Sequence, residues 1–290
     1  MPMDKCSQIS LSRADLQKRA YLAGRLGKDF RRFGPLIEGE CVPVHLPRSA
    51  GGTVTITPAN ATHGDPPWRI SVPAMIEAMA KHNAYKFGQH RQVLTVRTAD
   101  AMGQDSLALT VECALESEID AFRKFDREGL AHSHAHELEA RVHLIADDGK
   151  NPHLLFTREG GKIVPLLSAA MDAEWIVGMK RATRLWMMDA LARTNELPSG
   201  TGKVEYLGAM VDVETGAFGL AGALTLNTDP PGASSAMKKA EFAPSPLEAT
   251  TLRAKEFRKW VDEKRDEMAP QMITSCALLG YRLFGADFLG

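Results

Sequence analysis

The stretch from His132 to Arg158 constrains the fold more than any other part of the sequence, because its side-chain pattern is that of a β-hairpin. Apolar residues occupy every second position from Leu138 to Leu144, the period that predicts a half-buried strand. The sequence Asp147-Asp148-Gly149 then suits a three-residue loop, in which a type I turn is followed by glycine in the left-handed region. The stretch also contains five of the nine histidines, so chemistry is expected here first.

The length of that loop sets the register of the hairpin. With three loop residues, His143 lies opposite His153 and beside Arg141 on one face, while the apolar side chains gather on the other. A two-residue Asp-Gly turn would instead place His153 opposite Leu144 and mix polar with apolar residues. We therefore predict the first register, with one apolar face and one face that carries histidine and arginine.

The order of the elements predicts an α+β fold, an antiparallel sheet with its helices on one face. Between about residues 107 and 213 the chain runs through strand, helix, two hairpin strands, helix and strand, which is the βαββαβ order of ferredoxin-like domains. In such a core both helices cover the same face of the sheet. Arg141, His143 and His153 are then expected on the open face, on central strands.

Changes in composition divide the chain into four predicted segments. Residues 1–90 hold an N-terminal helix and a small β/α segment, and residues 91–227 hold the ferredoxin-like core. Residues 228–246 contain four prolines and little apolar content, so we predict a linker there. Residues 247–290 are expected to form C-terminal helices, which Pro270 separates.

Composition narrows the classes of function. Because the formal net charge is −1, any affinity for nucleic acid has to come from local patches. The four cysteines are isolated, without a CxxC motif, which argues against a zinc knuckle and for a reducing compartment. No apolar run reaches membrane-spanning length, and the N-terminus lacks the apolar core of a signal peptide. We therefore expect a cytoplasmic protein with no membrane contact.

The predicted N-terminal helix, residues 12–33, carries a basic stripe that points to nucleic acid. Its members recur at intervals of three and four residues, which places them on one side of a helix. They are Lys18, Tyr21, Arg25, Lys28 and Arg32. Such a stripe can follow a phosphate backbone and stack on a base, although a solvated helix face has the same pattern.

The facing imidazoles of His143 and His153 support two kinds of chemistry. They can act as a catalytic acid and base on a phosphodiester, or they can ligate a divalent metal as cofactor. Asp147 and Asp148 at the adjacent turn would add oxygen ligands. Spacing alone fixes no third ligand, so the metal and its ligand set stay open.

The segment HLIADDGKNPHLLF resembles the metal-binding motif of relaxases, the single-strand nicking enzymes of mobile elements. In that motif a histidine is followed by an Asn-Pro-His-x-His stretch, and this chain has Leu155 where the final histidine stands. The resemblance covers about a dozen residues. It implies that Tyr21 stands where that family keeps its nucleophile, and it favours work on nucleic acid.

Three functions are compatible with these patterns. The first is a nucleic-acid-binding protein, for RNA or single-stranded DNA, that uses the basic stripe and Arg141 and, as a nuclease, the catalytic residues His143 and His153. The second is a metal-dependent enzyme that acts on a small molecule through the histidine cluster. The third is an assembly subunit that contacts a protein partner through its apolar C-terminal helix, residues 272–284. We favour the first.

Overall fold

Two β-sheets lie at the centre of the fold, which confirms the α+β class. The computed structural model describes residues 6–25, 41–48, 52–60, 92–125, 135–171, 204–239 and 247–289. The strands are β1 (Cys6–Ile9), β2 (Cys41–His45), β3 (Thr53–Pro58), β4 (Gln92–Met102), β5 (Ser106–Leu115), β6 (Leu138–Ala146), β7 (His153–Glu159), β8 (Lys162–Pro165), β9 (Leu167–Ala170), β10 (Val204–Asp212), β11 (Phe218–Leu226) and β12 (Glu248–Thr251). The helices are α1 (Arg13–Arg25), α2 (Glu116–Phe125), α3 (Pro230–Lys239), α4 (Ala254–Lys264) and α5 (Pro270–Phe284), with 3₁₀ turns at Arg265–Glu267 and Ala286–Leu289.

The first sheet has the strand order β1-β4-β5-β3. Strands β4 and β5 form an antiparallel hairpin, and β3 runs parallel to β5. Alternate residues of β5 are buried, namely Leu107, Leu109 and Val111, which is the pattern from which the sequence predicts this strand. Helix α2 packs Ile119 and Phe122 against residues of β4 and β5, so this sheet has a helix on one side.

The second sheet is built around a parallel pair of strands. Its order is β12-β7-β6-β11-β10-β2, while β8 pairs with β7 and β9 pairs with β6. Strands β6 and β11 run parallel from the pair Leu138 and Phe218 to the pair Ala146 and Leu226. The other pairings in this sheet are antiparallel. The sheet is therefore mixed, where the sequence predicts an antiparallel one.

Within the described residues, both faces of the second sheet are covered, so the predicted open face was wrong. On one face Ile145 and Leu154 belong to a buried cluster that includes residues of α4 and α5. On the other face Leu144 and Leu155 belong to a cluster that includes the first sheet and Leu16 of α1. Because β6 and β7 have apolar residues at consecutive positions, both of their faces bury apolar surface.

The register of the β6–β7 hairpin also differs from the predicted one. Ala146 pairs with His153, and Leu144 pairs with Leu155. The prediction that His143 lies opposite His153 was therefore wrong. The register follows from a connection of residues 147–152, which is longer than the predicted loop.

Side-chain hydrogen bonds of two aspartates explain the longer connection. The Oδ1 atom of Asp147 accepts a hydrogen bond from the Gly149 amide at 2.8 Å. The Oδ1 atom of Asp148 accepts bonds from the amides of Lys150 and Asn151 at 2.9 and 3.2 Å. Turns of this type extend a loop with local bonds that compete with strand pairing. Pro152 follows and has no N–H to donate to a ladder.

The described strand order does not confirm the predicted ferredoxin-like core. Strand β5 belongs to the first sheet, so it is not a hydrogen-bonded neighbour of the β6–β7 hairpin. The second helix of the predicted core was expected to run from Ser168 to about Pro198, but Ser168 lies in strand β9 and pairs with Arg141 of β6. The rest of that expected helix lies outside the described residues.

Helix α3 lies within the segment 228–246 that was predicted to be a linker. Two prolines occupy its first turn, where a missing N–H costs no hydrogen bond, and Asp229 Oδ1 accepts a bond from the Gly232 amide at 2.8 Å. Ala233 and Met237 are fully buried in the cluster between the sheets. The linker prediction was wrong for this helix, while the division into four domains stays a prediction.

The C-terminal segment contains both a strand and helices. Strand β12 pairs with β7 at a place where the sequence predicts the start of a helix. Helix α4 then buries Phe257 and Val261, and α5 buries eight residues. Helix α5 packs on β2, β8, β10 and β11. No helix in the described part of the chain is long and apolar enough to cross a membrane.

Replacing Met237 with alanine tests whether α3 is part of the folded core. Met237 has no exposed surface, so the substitution should lower the free energy of unfolding by roughly 2–5 kcal/mol. The measurement is urea denaturation followed by circular dichroism. Ser235→Ala, at an exposed position of the same helix, is the matched control and should change stability little. Equal stabilities for the two variants would show that α3 does not contribute to the core.

Candidate functional site

His143, the first predicted catalytic residue, lies inside the protein. It is 1% exposed, and neither of its ring nitrogens has a well-formed hydrogen bond in the described structure, although the backbone of Ser275 in α5 lies close to the ring. Burial lowers the pKa of His143 from 6.5 to about 4, and the Ser275 backbone opposes this shift. The imidazole is therefore neutral at pH 7 and packed between β6 and α5.

His153, the second predicted catalytic residue, lies at the start of β7 and is partly exposed. Its Nδ1 atom is 2.7 Å from the carbonyl oxygen of Asn151, which accepts the hydrogen bond from the ring. His153 pairs with Ala146 on one side and Thr251 on the other. A catalytic pair needs both imidazoles at one site, and the structure does not bring His153 and His143 together.

Arg141, the third residue expected on an open face, is held by neighbouring side chains. It forms an ion pair with Glu139, and its Nη1 atom lies 3.4 Å from the Ser168 hydroxyl. Its side chain is 11% exposed, and a Cβ atom at Gly219 would lie 3.3 Å from its Nε atom. The guanidinium is thus enclosed beside β11 and does not project from an open sheet face.

The basic stripe is described only in part. Ser12 begins α1, because its hydroxyl accepts a bond from the Asp15 amide at 3.2 Å and donates to Asp15 Oδ2 at 2.8 Å. Leu16 is fully buried and Lys18 is exposed. The side chains of Tyr21 and Arg25 lie outside the description, although both positions belong to α1. Lys28 and Arg32 lie outside the described residues.

The structure gives no support to the predicted divalent metal. Among the described residues, no group of three or more His, Cys, Asp or Glu side chains is placed to hold a metal ion. The carboxylates of Asp147 and Asp148, which the sequence offered as ligands, accept bonds from amides of their own loop. His132 and His134 lie outside the described residues. The metal therefore stays a prediction.

His136 joins three separate segments of the chain. It is buried, with Nδ1 2.8 Å from the carbonyl oxygen of Gly216 and Nε2 2.9 Å from that of Leu11. A neutral imidazole has a single N–H and donates to one of these oxygens, whereas an imidazolium donates to both. Burial lowers the pKa of His136, and the two carbonyl groups oppose that shift. We assign His136 a structural role at the turn between β10 and β11.

His45 and Tyr206 form a buried pair that the sequence did not reveal. The His45 Nδ1 atom lies 3.0 Å from the Tyr206 hydroxyl, and the two rings stack. The His45 Nε2 atom has no hydrogen-bond partner among the described residues. Burial lowers the pKa of His45 and raises that of Tyr206, so both side chains are neutral at pH 7. The two residues are 161 positions apart, and no local pattern indicates their contact.

A bulge in β10 makes room for this pair. The register between β10 and β11 shifts between Tyr206 and Gly208. Gly208 has φ of 154°, and a Cβ atom there would lie 2.8 Å from the carbonyl oxygen of His45. Only glycine allows that approach of the two backbones without a shift. The pair is thus part of the packing between β2 and β10.

The two buried cysteines are not nucleophiles. Burial raises the pKa of Cys41 to about 12 and also raises the pKa of Cys276. Their thiols therefore stay protonated at pH 7, and thiolate is the reactive form. Cys6 and Cys113 are exposed.

The class that these observations define is a mixed α+β protein with two β-sheets. Comparison with known proteins adds no closer assignment: no family model matches the chain, and no curated protein matches it. The relaxase-like segment is therefore not supported by a family match, and its two histidines do not face each other.

Replacing His143 with leucine should reduce the loss of stability in acid. The pKa of His143 is about 4 in the folded protein against 6.5 for the free side chain, so the unfolded state binds more protons between these values. The contribution of neutral His143 to the free energy of unfolding is fully present above about pH 6.5, and it falls by roughly 3 kcal/mol as the pH drops toward 4. The leucine variant has no group to protonate at this position, so its free energy of unfolding should decrease less than that of the parent over the same pH range.

The measurement is urea denaturation of both proteins at several pH values from 7 to 4. His153→Leu, at a partly exposed position on the next strand, is the matched control and should keep the pH dependence of the parent protein. If the His143 variant and the parent lose the same stability over this range, His143 is not buried as a neutral group.

Proposed function

We propose that the protein binds single-stranded nucleic acid, RNA or DNA, along the outer side of α1. The observation that supports this proposal is the orientation of the helix: Leu16 is buried in the core, and Lys18 is exposed. Two residues along an α-helix correspond to a rotation of about 200°, so the position of Lys18 lies opposite the core. Positions 21 and 25 follow at spacings of three and seven residues, on the same side as Lys18.

The composition of α1 favours a polyanion as the ligand. The helix contains Arg13, Lys18, Arg19 and Arg25 but a single acidic residue, Asp15. The hydroxyls of Ser10 and Ser12 donate to Asp15 and lower its pKa. Because the whole chain has a net charge of −1, a local excess of basic residues is the feature that would attract phosphates.

The proposal is for binding and includes no cleavage step. The predicted nuclease activity depended on the paired imidazoles of His143 and His153, and these residues are apart in the structure. Arg141 is also left out of the binding surface, because its guanidinium is paired with Glu139. A ferredoxin-like core stays a prediction, and the proposal does not depend on it, because α1 lies outside the segment in which that core was predicted.

Alanine substitution of Lys18 together with Arg25 tests this proposal. The variant should bind a fluorescein-labelled single-stranded oligonucleotide on the order of tenfold more weakly than the parent. The slope of log K against log salt concentration should become shallower by about 1.4, because two phosphate contacts are lost. The measurement is fluorescence anisotropy at several salt concentrations, with RNA and DNA strands of the same sequence.

The matched control is Lys150→Ala with Lys162→Ala, which removes two exposed lysines outside α1. This control should bind as the parent does. Parent affinity that does not change with salt, or equal affinities of the α1 variant and the parent, would contradict the proposal. A Lys18/Arg25 variant that still binds RNA but not DNA would also contradict it, since phosphate contacts do not distinguish the two.

A further inference from the structure

Helix α4 and the 3₁₀ turn after α5 enclose a groove of about 630 Å³ on the surface of the protein. One wall is the outer side of α4, and the other is the turn at Ala286–Leu289 with the end of α5. This surface, the α4 groove, is lined by residues that include Lys255, Arg258, Lys259, Asp262, Glu263 and Phe284.

The floor of the α4 groove is held in place by contacts of Phe288. Its ring stacks on Phe257 at a centroid distance of 5.4 Å. Its carbonyl oxygen accepts a hydrogen bond from Arg258 Nη1 at 2.6 Å. The ring also sits against Gly280 of α5, where a Cβ atom would overlap it. The groove is therefore formed before any partner binds.

The charges along α4 are arranged so that the groove is complementary to itself. On the side of α4 that lines the groove, the basic residues Lys255, Arg258 and Lys259 lie in the first half of the helix, and the acidic residues Asp262 and Glu263 lie in the second half. Glu256 and Lys264 do not line the groove. A twofold axis perpendicular to α4 would place a second α4 antiparallel to the first. The basic half of each helix then faces the acidic half of the other.

The charges of Lys259 and Glu263 are available to form ion pairs with a second copy of the chain. Within one helix Arg258 pairs with Asp262 at 3.0 Å, and Lys259 pairs with Glu263 at 3.6 Å. The side chains of Lys259 and Glu263 are 74% and 61% exposed, and exposed pairs of this kind contribute little to stability.

We propose that the α4 groove is the contact surface of a homodimer, in which the α4 helices of two copies lie antiparallel across a twofold axis. The occupant of each groove is the second copy of this chain. The proposal rests on the charge order of α4 and the preformed apolar floor, and it is independent of nucleic-acid binding by α1. An experiment that contradicts dimerisation therefore does not contradict nucleic-acid binding, and the reverse also holds.

The test uses two charge-reversal variants of the full chain and sedimentation velocity. The acidic variant carries Lys255→Glu and Lys259→Glu, and the basic variant carries Asp262→Lys and Glu263→Lys. Each should dimerise about 100-fold more weakly than the parent, because like charges then face each other across the axis. An equimolar mixture should regain the dimer, because an acidic α4 then faces a basic one at both contacts.

Lys150→Glu with Lys162→Glu is the matched control, since both lysines are exposed and lie outside the groove, and it should dimerise as the parent does. The parent dimer alone should weaken several-fold when salt rises from about 0.05 to about 0.5 M, because salt screens exposed charges. This second measurement keeps the proposal testable if a variant does not fold.

Three outcomes would overturn the proposal. The first is a parent protein that stays monomeric up to about 100 μM, a concentration above the typical dissociation constants of specific complexes; the groove would then be left to a different protein partner. The second is variants that dimerise as strongly as the parent. The third is a mixture that stays monomeric although each folded variant has lost the dimer, because complementary charge would then not be the cause of association.

Discussion

The parallel pairing of β6 with β11, enclosed on both faces, is the constraint on which the rest of the structure depends. Nine consecutive residue pairs join the two strands, from Leu138 with Phe218 to Ala146 with Leu226. The opposite edge of β6 is divided between β7 and β9. With its edges paired and its faces covered, β6 is buried at Leu138 and from Val142 to Ala146, and these side chains have to fit a packed interior.

Because β6 is enclosed, its polar side chains are either neutral or paired with an opposite charge. His143 lies on the side of α5 and is neutral, because a charged imidazole there would lose more by burial than it gains from the backbone of Ser275. Arg141 keeps its charge on the same side because Glu139 forms an ion pair with it. Among the described residues, β6 therefore does not present the open sheet face that was predicted to bind nucleic acid. Contacts with partners are therefore expected on helices, on the outer sides of α1 and α4.

The sequence predicted the strands well and their arrangement poorly, for a physical reason. Alternation along β5 and β6 indicates strands, but Leu144-Ile145 and Leu154-Leu155 are apolar on both faces, so the pattern does not specify a register. The register of the β6–β7 hairpin depends instead on the loop between the strands. The carboxylates of Asp147 and Asp148 accept hydrogen bonds from amides of this loop, which makes the connection longer than predicted.

Long-range contacts account for most of the other features that could not be predicted from the sequence. Strand β5 pairs with the distant strand β3, and β6 pairs with the distant strand β11, so the order of strands in the two sheets is not a local property. The prolines at the start of α3 suggested a linker, although proline is favoured in the first turn of a helix. The contact between His45 and Tyr206 has no sequence signal, and the loss of the predicted imidazole pair followed from the register alone.

The reaction of single histidines with diethyl pyrocarbonate at pH 7 tests the burial of β6 most directly. The reagent modifies accessible neutral imidazoles, and mass spectrometry of peptides reports the rate at each residue. The structure predicts that His153 reacts in the folded protein, whereas His143 reacts only after unfolding, because its ring is enclosed between β6 and α5. Equal rates at His143 and His153 in the folded protein would contradict the account.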